Sequence, residues 1–239
     1  MMLKIKIGML LFVLGVAAGA ANDEVRLVGG KDDLAQWREP CGDWFAASAV
    51  TTNVANSKLL AATPGPGLIV NGKNGRAKNI LSQQEFGDAE IHVEFLIPPK
   101  SNSGVYLMGR YEIQVFDSFG AQGQYPGIEC GGIYQRWADG KGFEGHSPRV
   151  NASKPAGEWQ SFDITFRAPR FDAAGKKIAN AVFVKVIHNR QVVHENVELT
   201  GPTRAAHYAD ERATGPLMLQ GDHGPVAYRN VVVRLPAAK

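Results

Sequence analysis

Apolar residues recur at every second position through most of this chain, a period that suits strands and excludes helices as the main element. Ile91, Val93, Phe95 and Ile97 alternate with His92, Glu94 and Leu96. Phe162, Ile164 and Phe166 alternate with Ser161, Asp163 and Thr165, and Val182, Val184 and Val186 with Phe183, Lys185 and Ile187. In the closing stretch, residues 229–235, Val231 and Val233 face one way. Turn-forming runs at residues 64–67, 86–88, 98–104 and 154–159 break the pattern, and residues 187–193 read as a hairpin turning at Asn189 and Arg190. These features predict an all-β sandwich of two antiparallel sheets. The best helix candidate is short, residues 207–213. Long loops are expected at residues 118–128 and 137–155, where sandwiches commonly carry function.

The first twenty-two residues interrupt this pattern. Lys4 and Lys6 precede an apolar run over residues 7–16, and Ala18-Gly19-Ala20 offers a small-residue cleavage site. That layout predicts a secretory signal over residues 1–21, too short to span a bilayer comfortably, followed by a single domain over residues 22–239. The expected location is secreted or periplasmic, with no membrane insertion after cleavage. Loss of the leader removes two of the 26 basic residues against 23 acidic ones, leaving +1. A nearly neutral chain without a basic stripe is not built for nucleic acid. Cys41 and Cys130 lack metal-finger spacing, and either a disulfide or two buried thiols suits them.

Residues 105–116 pose the sharpest question, because they read as one buried strand that nevertheless carries Arg110, Glu112 and Gln114. Alternation sorts them into two faces. Val105, Leu107, Tyr111, Ile113 and Val115 form a core face; Tyr106, Met108, Arg110, Glu112, Gln114 and Phe116 form the other. The second face mixes aromatic, amide and charged groups. That composition suits carbohydrate, with rings against sugar C–H faces and polar groups on hydroxyls. A solvated Arg110–Glu112 pair on an outer face would account for the same residues.

Four blocks, NSGVYLMGRYEIQVFDS (102–118), GGIY (131–134), NASKPAGEW (151–159) and GPLMLQGDHGPVAYRNVVV (215–233), closely resemble the 3-keto-disaccharide hydrolase family. The resemblance runs from about residue 25 to the C-terminus. It implies a concanavalin-like jelly-roll fold related to lectins and glucanases, and an oxidised 3-keto sugar as substrate. Glucanase sandwiches of this kind place two carboxylates at i and i+4 on one strand, whereas this chain has Arg110, Glu112 and Gln114, one carboxylate only. A 3-keto sugar needs less. Its carbonyl acidifies the C2 hydrogen, so one base suffices for β-elimination of the anomeric substituent, with or without later hydration.

Glu112 is accordingly the candidate base. His223, in LQGDHGP, is the candidate proton donor, placed on a glycine-flanked turn and titrating near neutrality in its unperturbed form. Arg110, Gln114 and Gln220 are expected to hold hydroxyls or the enolate, and Tyr106, Tyr134 and Lys185 to line the same face. Asp117 could cap the following turn or face the cleft. Glu112, Asp117 and His223 would also serve as ligands for a divalent ion, although no spacing motif supports one. A non-catalytic sugar-binding module of the same fold is the rival reading.

Overall fold

The computed structural model describes residues 23–122 and 126–236, so the expected leader lies outside the described residues. The strands run β1 (Glu24–Val28), β2 (Phe45–Thr52), β3 (Leu60–Val70), β4 (Ile80–Phe86) and β5 (Ala89–Leu96). They continue through β6 (Asn102–Leu107), β7 (Tyr111–Phe116), β8 (Arg136–Ala138), β9 (Lys141–Phe143), β10 (Gln160–Arg167) and β11 (Arg170–Phe171). The chain closes with β12 (Lys177–Ala179), β13 (Ala181–His188), β14 (Gln191–Leu199), β15 (Gly215–Leu219) and β16 (Ala227–Arg234). The larger sheet is ordered β14-β13-β10-β5-β16-β3-β2, with β1 also on β16; the smaller is β4-β15-β6-β7. All named pairs in both sheets are antiparallel, and together the sheets form the expected jelly-roll sandwich.

Alternate side chains from the two sheets meet between the layers. Phe95 and Phe162 pack at 4.8 Å between ring centroids, and Tyr111 of the smaller sheet reaches Phe166 of the larger at 5.5 Å. A polar tie crosses the same core. The Tyr228 hydroxyl on β16 meets the Ser103 hydroxyl on β6 at 2.7 Å, and Ser103 Oγ donates to Gln220 O at 2.7 Å. Each buried hydroxyl thus has a partner, as burial requires. Cys41 and Cys130 are both buried free thiols, and Cys130 Sγ lies 3.9 Å from His188 Nε2.

Three expectations need correction. Residues 105–116 form a hairpin in place of one strand: Met108 and Gly109 take left-handed conformations (φ 57° and 63°), and Arg110 N donates to Leu107 O at 2.9 Å. Residues 207–213 are irregular because His207 N and Tyr208 N both donate to Gly109 O at this hairpin's tip, outside any helical ladder. Residues 64–67 stay within β3. There Ala47 pairs with both Pro64 and Leu68, so the register shifts as at a bulge, and β16 covers only Leu68–Val70, leaving the prolines on an edge.

Phe162 is fully buried against Phe95 and His188. Phe162→Ala is expected to cost about 3–5 kcal/mol in urea unfolding, through lost transfer energy and the cavity left behind.

Candidate active site

The hairpin β6–β7 builds the floor of a cleft on the outer face of the smaller sheet. Tyr106 stands directly opposite Glu112, and Gly104 opposite Gln114. Three loop residues separate the paired positions Leu107 and Tyr111, so the even spacing from Tyr106 to Glu112 keeps both on one face. The cleft measures about 360 Å³ and is lined by Asn102, Tyr106, Glu112, Gln114, Tyr134, Arg204, Ala205, Gln220 and His223.

Glu112 is 2% exposed. Its carboxyl occupies space that only glycine leaves open, since a Cβ on Gly104 would fall 2.1 Å from Glu112 Oε1 and 2.9 Å from the Tyr106 ring. Gln114 Nε2, turned toward its acceptors, lies 2.8 Å from Ser103 O and 3.2 Å from Glu112 Oε1. Glu112 Oε2 has no hydrogen-bond partner. Burial is the main cause that pushes this carboxyl up to about 8; the Tyr106 phenol acts against it and the negative charge of Asp222 adds to it. Burial and Glu112 in turn push the Tyr106 phenol well up, so it stays protonated. A carboxyl that is largely neutral near pH 7 and only half satisfied is poised for proton transfer.

His223 sits on the turn that follows β15. Its Nδ1 lies 2.6 Å from Asp222 Oδ1, which fixes the ring and leaves Nε2 for a ligand. Gln220 N donates to Gly104 O at 3.0 Å, keeping that turn in register with the floor. The GGIY segment extends the sheet beyond β7: Gln114 N donates to Gly132 O, and Tyr134 N to Glu112 O. Gly127 makes the crossing possible, because a Cβ there would meet Ile133 O at 2.2 Å.

The cleft therefore brings together Glu112, His223, Gln114, Gln220, Tyr134 and Tyr106. Arg110 is placed elsewhere. Although only 3% exposed, its guanidinium donates to Asp210 O (2.5 Å), Asp210 Oδ1 (2.7 Å) and Met108 O (2.8 Å) and lies over the Tyr208 ring. Position 110 falls in the hairpin turn, where strict alternation ends, and Met108 likewise turns into the core. Arg110 acts as a clamp on the loop that follows β14. Its carbonyl accepts from Thr203 N and Thr203 Oγ1, while Thr203 Oγ1 accepts from Glu112 N at 3.2 Å.

Lys185 lies on β13 in the other sheet, exposed and paired across strands with Thr165 and Glu195. Strand parity assigns a face within a sheet but does not say which sheet. Asp117 caps the preceding β5–β6 turn instead of the following one, its Oδ2 accepting from Lys100 N at 2.9 Å, and among the described residues Glu112, Asp117 and His223 do not form one ligand set. Among the described residues no group of three His, Cys, Asp or Glu side chains could hold a metal ion.

Sequence reading missed Asn102, Arg204, Ala205 and Asp222. Asn102 shares the parity of Gly104 and Tyr106, a signal that was available. Arg204 and Ala205 follow β14 in an irregular loop that carries no period to read.

The sequence profile of the 3-keto-alpha-glucoside-1,2-lyase-like domain matches residues 23–234. The chain belongs to this family. As a member of the lyase-like family it resembles three solved structures, each of a candidate glycosyl hydrolase from Parabacteroides distasonis. The first is 26% identical, with a TM-score of 0.64 over 90% of this chain and 84% of its own. The second is 18% identical (TM-score 0.58; 90% and 100% covered), and the third 16% identical (0.52; 88% and 93%). The last two relate the lyase-like domain to them by fold alone. Comparison with curated proteins gave no match. Membership and the first of these likenesses support a carbohydrate-active protein.

The raised Glu112 carboxyl sets a pH signature. Its folded form holds a proton up to about pH 8 while the unfolded form releases it near 4.5, so its favourable contribution is complete below pH 4.5 and lost by about pH 8. The melting temperature of Glu112→Gln is expected to exceed that of the wild type by a margin that grows from pH 5 to pH 9. Gly104→Ala should displace the carboxyl and abolish that growth.

Proposed function

We propose that this protein cleaves 3-keto-glycosides by removing the C2 proton and expelling the C1 substituent. The observation that carries the reading is the single carboxyl among the residues lining the cleft, Glu112, surrounded by amides, phenols, a histidine and a guanidinium. Ordinary glycoside hydrolysis requires two carboxyls flanking the scissile bond. Asp222 is engaged by His223 and is not among the lining residues. The family description, a 1,2-lyase on a keto-glucoside, names the same pair of carbons.

The steps balance within the substrate and two side chains. Glu112 in its ionised form takes the C2 proton, and the C2–H electron pair becomes the C2–C3 bond of an enolate as the carbonyl pair moves to oxygen. The enolate then re-forms the C3 carbonyl, a C1–C2 double bond appears, and the C1–O bond breaks. The departing oxygen takes its proton from His223, and water can add to the enone afterwards. Gln114, Gln220, Asn102 and the phenols of Tyr106 and Tyr134 supply hydrogen bonds to ring hydroxyls. A base that ionises near 8 accepts a proton from carbon more readily than an ordinary carboxylate, at the expense of being about one-tenth ionised at pH 7.

Release of free sugar from a 3-keto-disaccharide by the purified protein tests the reading. Glu112→Gln is expected to lower kcat by about 10²–10⁴-fold and His223→Ala by about 10²-fold, the range of general acid–base contributions. With the wild type, kcat/KM should be bell-shaped in pH, because the reaction needs Glu112 without its proton and a proton to give at His223. Sugar binding without turnover at any pH would favour a lectin-like module, and full release by both variants would contradict the assigned roles.

A further inference from the structure

Once Arg110 is seen to clamp a loop, the cleft has one permanently charged cation among its lining residues, Arg204. Its guanidinium makes no ion pair with any described carboxylate; its central carbon lies over the Trp137 ring, 3.8 Å from the centroid. The backbone around it is fixed from two sides. Arg204 N donates to Gln135 O at 2.8 Å, and the preceding residue, Thr203, is bonded to Arg110 O and to Glu112 N. Arg204 is thus tied through one residue to the strand that carries Glu112, and through Gln135 to the short hairpin β8–β9 that carries Trp137.

We propose that Arg204, held by Trp137, is the electrophilic group that receives the C3 oxygen as it becomes an enolate. This rests on the elimination reading above. Removing a proton from C2 while the carbonyl pair moves to oxygen places a full negative charge on that oxygen, and preorganised donors at such a point account for much of an enzyme's rate. Amides and phenols can hydrogen-bond it, but only Arg204 among the lining residues adds a permanent positive charge. An indole face is a suitable seat for a guanidinium: it attracts the cation through its quadrupole without neutralising it as a carboxylate would. The N–H groups of the Arg204 guanidinium make no hydrogen bond to any described residue. Trp137 is a positioning residue in this scheme, which explains a tryptophan left 45% exposed on a three-residue strand beside the cleft.

Deuterium exchange at C2 reads the proposed step separately from cleavage. A 3-keto-disaccharide is incubated with enzyme in heavy water, and both label at C2 of recovered substrate and free sugar are followed. Arg204→Ala is expected to slow exchange and cleavage together by about 10²-fold, the loss typical of one oxyanion donor, while the dissociation constant for substrate changes much less. Arg204→Lys should recover part of the rate. Trp137→Ala should lower kcat with little effect on KM, and Trp137→Phe should restore most of it. If the wild type exchanges and cleaves but Arg204→Ala does both equally fast, or loses cleavage alone, the role of Arg204 is overturned and the elimination stands. If the wild type neither exchanges nor cleaves, both are overturned.

Discussion

The absence of a side chain at Gly104 is the constraint on which the rest of the site depends. Glu112 sits on the β6–β7 hairpin at one end of the smaller sheet, and its carboxyl lies where the Cβ of any other residue at position 104 would fall. That placement removes the carboxyl from water and leaves one oxygen without a partner, and burial then raises its proton affinity. A group this costly to keep ionised weakens the fold progressively as the pH rises from about 4.5 to about 8. Such a penalty is typical of residues held for chemistry rather than for stability.

Everything around the carboxyl serves to keep it there. The Ser103 hydroxyl joins the hairpin to Tyr228 in the larger sheet and to Gln220 beside it, so the cleft floor is continuous with the core. On the other side Arg110 draws the loop after β14 onto the hairpin tip, and Thr203 bonds both Arg110 and Glu112. A buried arginine with this many partners is expensive to desolvate and unforgiving to replace. Here it fixes a loop whose own sequence has no regular element, and that loop brings Arg204 to the rim.

Much of this was legible in the sequence because period two is robust to small errors of topology. The hairpin mistaken for one strand still placed Tyr106, Glu112 and Gln114 on a single face, since the turn left their spacing even. The same rule failed at Arg110 and Met108, which lie in the turn itself and are steered by turn geometry. It failed differently at Lys185, where alternation was sound but the strand belongs to the other sheet. Arg204 and Asp222 left no trace, because their positions follow from long-range bonds, of Thr203 to Arg110, of Arg204 to Gln135 and of Arg76 to Asp222 O, not from any local pattern. The buried, half-satisfied state of the Glu112 carboxyl likewise arises from a glycine eight positions away, diagonal to it across the hairpin.

Burial of Glu112 implies a neutral carboxylic acid in the folded protein near pH 7. Infrared difference spectra between the wild type and Glu112→Gln, recorded from pH 4 to pH 10, observe that group directly through its carbonyl stretch. A protonated-carboxyl band is expected to persist through pH 7 and to give way to a carboxylate near pH 8. A band already lost by pH 5 would contradict it.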